Sequence, residues 1–244
     1  MMSEKPLWWA DAEIELDTIV EGFTDQLRGK LQELCQDPAH VIARKNPFLF
    51  GVRGANTPKL FADSCVSAFL SSSEETRFGA VFEKCAETIG KYGRGAQKSG
   101  IEGVDIEWND KDVRVLAQIK SSINWGNSSQ KKQMRRNFSR AIRILQQGTH
   151  VSVRCLECCS YGKGRHDRYG THERIVGPVF WEELSMWSGT YIALFNCIEK
   201  HADNGLQSDK LDASNHIIEF LEEHGIIRDS FIDWSKFLTL IHAS

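Results

Sequence analysis

Long apolar segments are missing from this sequence. No run approaches the ~20 residues that a membrane-spanning helix needs, so we expect no membrane contact. The seven cysteines are odd in number and follow no regular spacing, which argues against a disulfide framework and for reduced thiols in an intracellular protein. Neither sign of charge dominates, and a net charge of −3 neither favours nor excludes a nucleic-acid partner. The remaining composition, with 41% hydrophobic and 26% charged residues, is that of an ordinary globular protein.

Apolar residues at helical spacing predict a chain of helices around a few strands. The predicted helices cover residues 12–36, 58–70, 75–89, 129–147, 179–187, 191–200, 211–224 and 231–242, and the predicted strands lie near 104–108, 113–122 and 149–160. Ser72 and Glu75 form a capping-box pattern for the third helix. This order predicts a small mixed sheet flanked by helices. We divide the chain into a helical N-terminal region (1–70), a core (71–200) and C-terminal helices (201–244), packed as one compact domain.

The first two predicted strands carry the most informative polar residues. Asp105 and Glu107 are two residues apart and so share one face of a strand, and Gln118 and Lys120 share one face of the next. If the strands pair as a hairpin, the four side chains meet beside a packed core. Oxygen ligands of this kind suit a hard divalent ion, and a lysine suits an attacking water or an anionic transition state. The alternative is a solvated surface of ion pairs, although Gly103, just before the acidic strand, favours close backbone approach.

A polar turn and a basic helix follow the second strand. The helix contains six cations and no acid, namely Lys131, Lys132, Arg135, Arg136, Arg140 and Arg143. The turn offers amide, hydroxyl and indole groups from Asn124, Trp125, Asn127, Ser128, Ser129 and Gln130. These residues predict phosphate and base contacts with a nucleic acid. The alternatives are a solvated basic face and a helix N-cap at Asn127 or Ser128.

A group of cysteines and histidines leaves two further interpretations open. Cys155, Cys158 and Cys159, with His166 and His172 downstream, have partial zinc-ligand spacing. The same segment also has the pattern of a strand with buried thiols, and catalysis by a cysteine lacks an identifiable orienting partner.

Several sequence blocks together resemble the PmeII-type group of type II restriction endonucleases. They are 46–50 (NPFLF), 71–83 (SSSEETRFGAVFE), 102–107 (EGVDIE), 118–130 (QIKSSINWGNSSQ), 158–162 (CCSYG) and 177–185 (GPVFWEELS), in order along the chain. The resemblance implies a PD-(D/E)XK nuclease core, an α/β (α+β) fold with helical N- and C-terminal extensions, in a bacterial cytoplasmic enzyme that cuts duplex DNA with Mg²⁺. It further implies a homodimer and a cognate DNA methyltransferase that acts on the same site without stable binding.

The resemblance also assigns roles to single residues. Asp105 matches the metal-binding aspartate, Lys120 the catalytic lysine, and Glu83 the acid that the preceding helix contributes. Gln118 departs from the pattern, which has Asp or Glu at this position. A glutamine oxygen can coordinate a metal but supplies no charge, which leaves open whether Glu107 or Glu83 substitutes for the missing acid or whether activity is reduced. The alternatives are a DNA-binding protein that has lost its activity and a defence nuclease without a methyltransferase.

Overall fold

The computed structural model describes residues 4–147, 151–164, 166–202 and 205–242. In chain order the elements are α1 (Trp9–Gln36), α2 (Pro38–Ala43), α3 (Pro47–Val52), α4 (Pro58–Arg94), β1 (Gln97–Lys98), β2 (Ile106–Asp110), β3 (Val113–Ser122), α5 (Ser128–Gln146), β4 (Ser152–Tyr161), β5 (His166–Arg168), β6 (Glu173–Val176), α6 (Pro178–Ser185), α7 (Thr190–Glu199), α8 (Leu206–Glu223), β7 (Ile227–Arg228), β8 (Phe231–Ile232) and α9 (Trp234–His242). They form two compact units, Met1–Val20 with Phe78–Lys200 (unit 1) and Glu21–Arg77 with His201–Ser244 (unit 2). The division at residues 70 and 200 that the sequence suggests stays a prediction.

Unit 1 contains the main sheet, which has six strands in the described part of the chain, in the order β1-β2-β3-β4-β6-β5. β3, β4 and β6 run parallel, while β1 with β2, β2 with β3, and β5 with β6 are antiparallel. Parallel neighbours need a crossover connection, and α5 provides it between β3 and β4. The prediction of a mixed sheet flanked by helices is therefore confirmed.

The amphipathic pattern of α5 explains why this helix packs on the sheet. Its buried residues Met134, Phe138 and Ala141 recur at helical spacing and pack against Leu116 of β3 and Cys155 of β4. The cations of α5 occupy the rest of its surface. The packing therefore directs the basic face of the helix to solvent.

Some predicted element boundaries are wrong. α4 runs without interruption from Pro58 to Arg94, so no helix starts at the Ser72 capping-box pattern. The sequence between Pro58 and Gly79 contains no further proline or glycine, and serine costs little in a helix interior, so nothing ends the helix there. The polar loop predicted after Tyr161 contains β5, and residues 148–150, at the start of the predicted third strand, lie outside the described residues.

Unit 2 has a separate helical core. Leu31, Phe50, Phe61, Ile217 and Phe237 are among its buried residues and join α1, α3, α4, α8 and α9. A short antiparallel pair, β7 and β8, completes it. No helix in either unit, over the residues the structure describes, is long and apolar enough to cross a membrane.

Candidate active site

Asp105 lies where β2 begins to separate from β3. Its backbone N–H donates to the Ala117 carbonyl oxygen at 2.9 Å. Its carboxylate Oδ2 accepts a hydrogen bond of 2.6 Å from the backbone N–H of Ile119. Since Ile119 stands between Gln118 and Lys120, this bond fixes the carboxylate beside the segment that carries both residues. The structure thus brings Asp105 to the predicted partner strand.

A close backbone approach holds the turn before Asp105 in place. Gly103 has a φ of +76°, a region that few L side chains adopt. A Cβ atom at Gly103 would lie 2.1 Å from Nδ2 of Asn137 on α5. The expectation of close approach at this glycine is confirmed.

Negative charge accumulates around Asp105. Burial raises its pKa, and the hydrogen bond from Ile119 opposes this shift. Burial also raises the pKa of Glu83 on α4, and the negative charge of Asp105 adds to the shift. The positive charge of Lys120 acts in the opposite direction on both carboxyls. Asp105, Glu83 and Lys120 therefore share one electrostatic environment.

The sequence analysis missed two further members of this environment. Glu87 raises the pKa of both Asp105 and Glu83, and Lys98 lowers it. Lys98 Nζ lies 3.5 Å from Glu87 Oε1. Glu87 could have been predicted from the sequence, because it follows Glu83 by four residues on one helix and the two side chains are therefore neighbours on its surface.

Gln118 carries a buried oxygen without a partner. Within the described residues its side-chain Oε1 accepts no hydrogen bond. An unpaired buried carbonyl is costly and often marks a functional position. A divalent cation implied by the sequence resemblance fits here, because an amide oxygen and the two carboxylates of Asp105 and Glu83 are hard donors with excess negative charge. The described residues contain no group of three or more His, Cys, Asp or Glu arranged for a metal.

Glu107 has a different environment from the one predicted. It is 6% exposed, and its Oε1 accepts a hydrogen bond of 2.7 Å from Nη2 of Arg114. Glu107 pairs with Leu116 in the β2–β3 register, and Val104 packs in the same cluster as Leu116. Val104 lies before the start of β2 at Ile106 and therefore does not follow the alternation of this strand.

The turn before α5 caps this helix. The Asn127 side chain accepts from the Gln130 backbone N–H at 3.0 Å, and Gln130 Oε1 accepts from the Asn127 N–H at 2.8 Å. The predicted N-cap at Asn127 is confirmed, and the acceptor oxygens of both residues are engaged. Asn124, Ser128 and Ser129 are exposed.

Trp125 is partly buried and packs against the cluster that contains Val104 and Leu116. Its indole N–H donates to Glu157 Oε1 at 2.7 Å. The Lys120 ammonium lies over the Trp125 ring, 5.1 Å from its centroid. The turn therefore places an aromatic face beside the predicted catalytic lysine.

Most cations of α5 are available to a partner. Arg135 and Arg136 are exposed and form no ion pair with any residue that the structure describes. Arg140 is different, because its Nη1 lies 2.9 Å from Glu102 Oε2. Lys131 is half-buried. A continuous exposed positive surface remains on the helix, as phosphate binding requires.

The described structure does not gather the cysteines and histidines into the zinc site that their spacing left open. Cys155 and Cys158 are three residues apart in β4 and so project from opposite faces of the sheet. All seven cysteines are unpaired, and those of β4 are buried. His166 contacts Glu173 at 2.7 Å and His172 contacts Glu157 at 3.1 Å. The strand with buried thiols is the interpretation that the structure bears out.

Glu157 is a fully buried carboxylate in β4 with three donors around it. Oε2 pairs with His172 Nε2 at 3.1 Å, and Oε1 receives the Trp125 N–H and lies 3.0 Å from Arg174 Nε. Burial alone would raise the pKa of Glu157, but the hydrogen bonds from His172 and Trp125 and the positive charge of Arg174 outweigh it and lower the pKa to about 2. The charged form is thus the stable one in the fold.

The substitution Glu157→Gln tests this network through stability. We expect it to lower the free energy of unfolding at neutral pH by roughly 3 kcal/mol, because a depressed pKa stabilises the fold by about 1.4 kcal/mol per unit. Because the pKa of Glu157 is lower in the folded protein than in the unfolded chain, its stabilising effect is complete above about pH 4.5 and disappears as the pH falls towards about 2. Urea unfolding of the parent and the variant between about pH 7 and about pH 3 should show the difference between their free energies of unfolding becoming smaller as the pH falls. The exposed Glu102→Gln is the control, with a loss below about 1 kcal/mol, and a Glu157→Gln deficit that persists undiminished at low pH would contradict the assignment.

Comparison with known protein families agrees with this geometry. A model of the type II restriction endonuclease EcoO109I family matches residues 15–205. A search of curated proteins finds no match. The matched range includes Asp105, Gln118, Lys120 and the whole main sheet, whose mixed topology with flanking helices agrees with a restriction-endonuclease-like fold. The chain belongs to the type II restriction endonuclease EcoO109I family.

Proposed function

We propose that this protein is a Mg²⁺-dependent endonuclease that hydrolyses phosphodiester bonds in duplex DNA at a specific site. The observation that carries the proposal is the Asp105 carboxylate, which the Ile119 N–H fixes between Gln118 and Lys120. The neighbouring Glu83 and the unpartnered Gln118 oxygen complete a set of hard donors. Glu107 is left out of this set because its Oε1 forms an ion pair with Arg114, which offsets its charge, while its Oε2 is buried without a hydrogen-bond partner in the described part of the chain.

The proposed chemistry is an in-line attack of water on phosphorus, in which one P–O bond forms and the bond to the leaving oxygen breaks. Asp105, Glu83 and Gln118 would hold Mg²⁺, which supplies positive charge and Lewis acidity at the scissile phosphate. Lys120 donates hydrogen bonds to the attacking water or to a phosphate oxygen, where negative charge develops. The exposed arginines of α5 bind the DNA backbone, and Asn124 in the preceding turn is the polar side chain best placed to approach bases.

The proposal also covers the oligomeric state, the partner enzyme and the cellular compartment. A homodimer suits cleavage of both strands at a near-palindromic site, and a cognate methyltransferase would protect the same sequence in the host. The unpaired cysteines favour a reducing cytoplasm. The sequence blocks favour a PmeII-type enzyme. The competing function is DNA binding without cleavage, and the observation in its favour is an uncharged glutamine at position 118.

Alanine substitutions at Asp105 and Lys120 test the chemistry. Each should reduce Mg²⁺-dependent plasmid cleavage by about 10²-fold or more, because each removes a group that contacts the metal or the reacting phosphate. Circular dichroism and DNA binding should stay at the level of the parent. Asp112→Ala, at an exposed acid in the β2–β3 turn, serves as the control with unchanged cleavage. Near-normal cutting by Asp105→Ala or Lys120→Ala would refute the site.

The substitution Gln118→Glu tests the departure from the family pattern. If the amide oxygen is a metal donor, a carboxylate adds one negative charge at the ion, and half-maximal cleavage should require less Mg²⁺. If Gln118 instead contacts DNA, the added charge should weaken DNA binding at every Mg²⁺ concentration. A variant that keeps both the Mg²⁺ requirement and the DNA affinity of the parent would place Gln118 outside the site.

The double substitution of Arg135 and Arg136 by alanine tests the DNA-binding helix. Binding to target and non-target DNA should weaken alike, and the salt dependence should flatten by a slope of roughly 0.9 per lost phosphate contact. Fluorescence anisotropy across a salt series measures the slope. Arg228→Ala, at an exposed arginine of unit 2, is the matched control and should leave the slope unchanged. An unchanged slope for the double variant would show that α5 does not contact phosphates.

A further inference from the structure

Glu157 lies next to the proposed catalytic strand without belonging to the proposed metal ligands. In the parallel register of β3 and β4 it stands opposite Gln118. The side chain has no exposed surface, and both of its oxygens are occupied by Trp125, His172 and Arg174. A carboxylate in this state has no oxygen left for a metal. Glu157 therefore does not replace the carboxylate that the family pattern has at position 118, and its role must be a different one.

The hydrogen bond to Trp125 links Glu157 to Lys120. The indole N–H reaches Glu157 Oε1 at 2.7 Å, and the face of the same indole lies under the Lys120 ammonium at 5.1 Å. A lysine has a flexible four-carbon chain, so its charged end has no fixed position unless a neighbour restricts it. An aromatic face attracts an ammonium and supplies this restriction.

Trp125 itself depends on the indole bond for its orientation. It belongs to the irregular turn between β3 and α5, where its backbone N–H makes a long contact of 3.4 Å with the Ser122 carbonyl. The next residue, Gly126, has a φ of +60°. The ring also packs against the apolar cluster of Val104 and Leu116, and the carboxylate fixes its rotation there.

We propose that Glu157 is a positioning residue that orients the Trp125 indole and thereby holds the Lys120 ammonium in its place for catalysis. The inference rests on the proposed function, since it concerns how the catalytic lysine of that reaction is held. Glu157 touches neither the DNA nor the metal in this proposal. It acts on the rate of the chemical step and leaves DNA affinity unchanged.

Two single substitutions and their combination test the proposal kinetically. Trp125→Phe keeps an aromatic face and removes the N–H donor, and Glu157→Gln removes the charged acceptor. In single-turnover cleavage at saturating DNA and Mg²⁺, each should lower the rate constant by about tenfold, with the DNA dissociation constant within about twofold of the parent. The double variant should be no slower than the slower single variant, because both changes break one interaction. Multiplied losses, or losses confined to DNA affinity, would overturn the proposal.

A matched control separates the loss of this bond from the loss of any indole. Trp108 lies in the same sheet, and its indole nitrogen has no hydrogen-bond partner among the described residues. Trp108→Phe should leave the single-turnover rate constant within about threefold of the parent. If Glu157→Gln does not fold, Trp125→Phe decides alone, and a parental rate constant for it would overturn the proposal.

Nuclear magnetic resonance tests the same arrangement without relying on cleavage. Reductive ¹³C-methylation of the lysines gives one signal per side chain, and Lys120→Arg identifies the signal of Lys120. The ring current of Trp125 should displace this signal in the parent, and Glu157→Gln and Trp125→Leu should move it towards the signals of exposed lysines. An unmoved signal in the Glu157→Gln protein would overturn the positioning role. If the Lys120 signal is displaced in the unsubstituted protein but this protein cleaves no DNA with Mg²⁺, the result refutes the proposed function instead.

Discussion

The hydrogen bond between the Ile119 N–H and the Asp105 carboxylate is the interaction on which the candidate site depends. β2 and β3 pair from Ile106 onward. At Asp105 the side-chain carboxylate, and not a backbone carbonyl, accepts the hydrogen bond from the Ile119 N–H of the neighbouring strand. The bond fixes the carboxylate at the point where the two strands separate. An active site built on such a separation combines the rigidity of a sheet with the open space that a substrate needs.

The site combines groups that are unfavourable without a ligand. Burial raises the pKa of Asp105 and of Glu83, and the amide oxygen of Gln118 lacks a donor in the described structure. The buried carboxylates Glu107 and Glu157 of unit 1 each have a cationic partner, Arg114 and Arg174 respectively. Asp105 and Glu83 form no ion pair with any residue that the structure describes, so a bound cation would stabilise these two carboxylates most.

The sequence predicted the parts of the structure that depend on local patterns. The strand pair, the basic helix, the cap at Asn127 and the close approach at Gly103 follow from periodicity, capping chemistry and glycine geometry. It could not give features that depend on tertiary contacts or on the absence of a helix stop. The partial burial of Trp125 was not predictable from the sequence, because its acceptor, Glu157, is 32 residues away in the chain. The predicted helix start near Ser72 was wrong because no proline or glycine between Pro58 and Gly79 ends α4 before that point.

The contact between Gly103 and Asn137 has a consequence for how such an enzyme can diverge. It ties the backbone just before Asp105 to the face of α5 that packs on the sheet. The cations of the same helix lie on its opposite, solvent side. We therefore expect substitutions on the solvent side to alter the strength of DNA binding, while the sheet side remains constrained by the proposed catalytic aspartate. One helix would then separate the evolution of DNA affinity from that of chemistry, with a boundary that runs along its length.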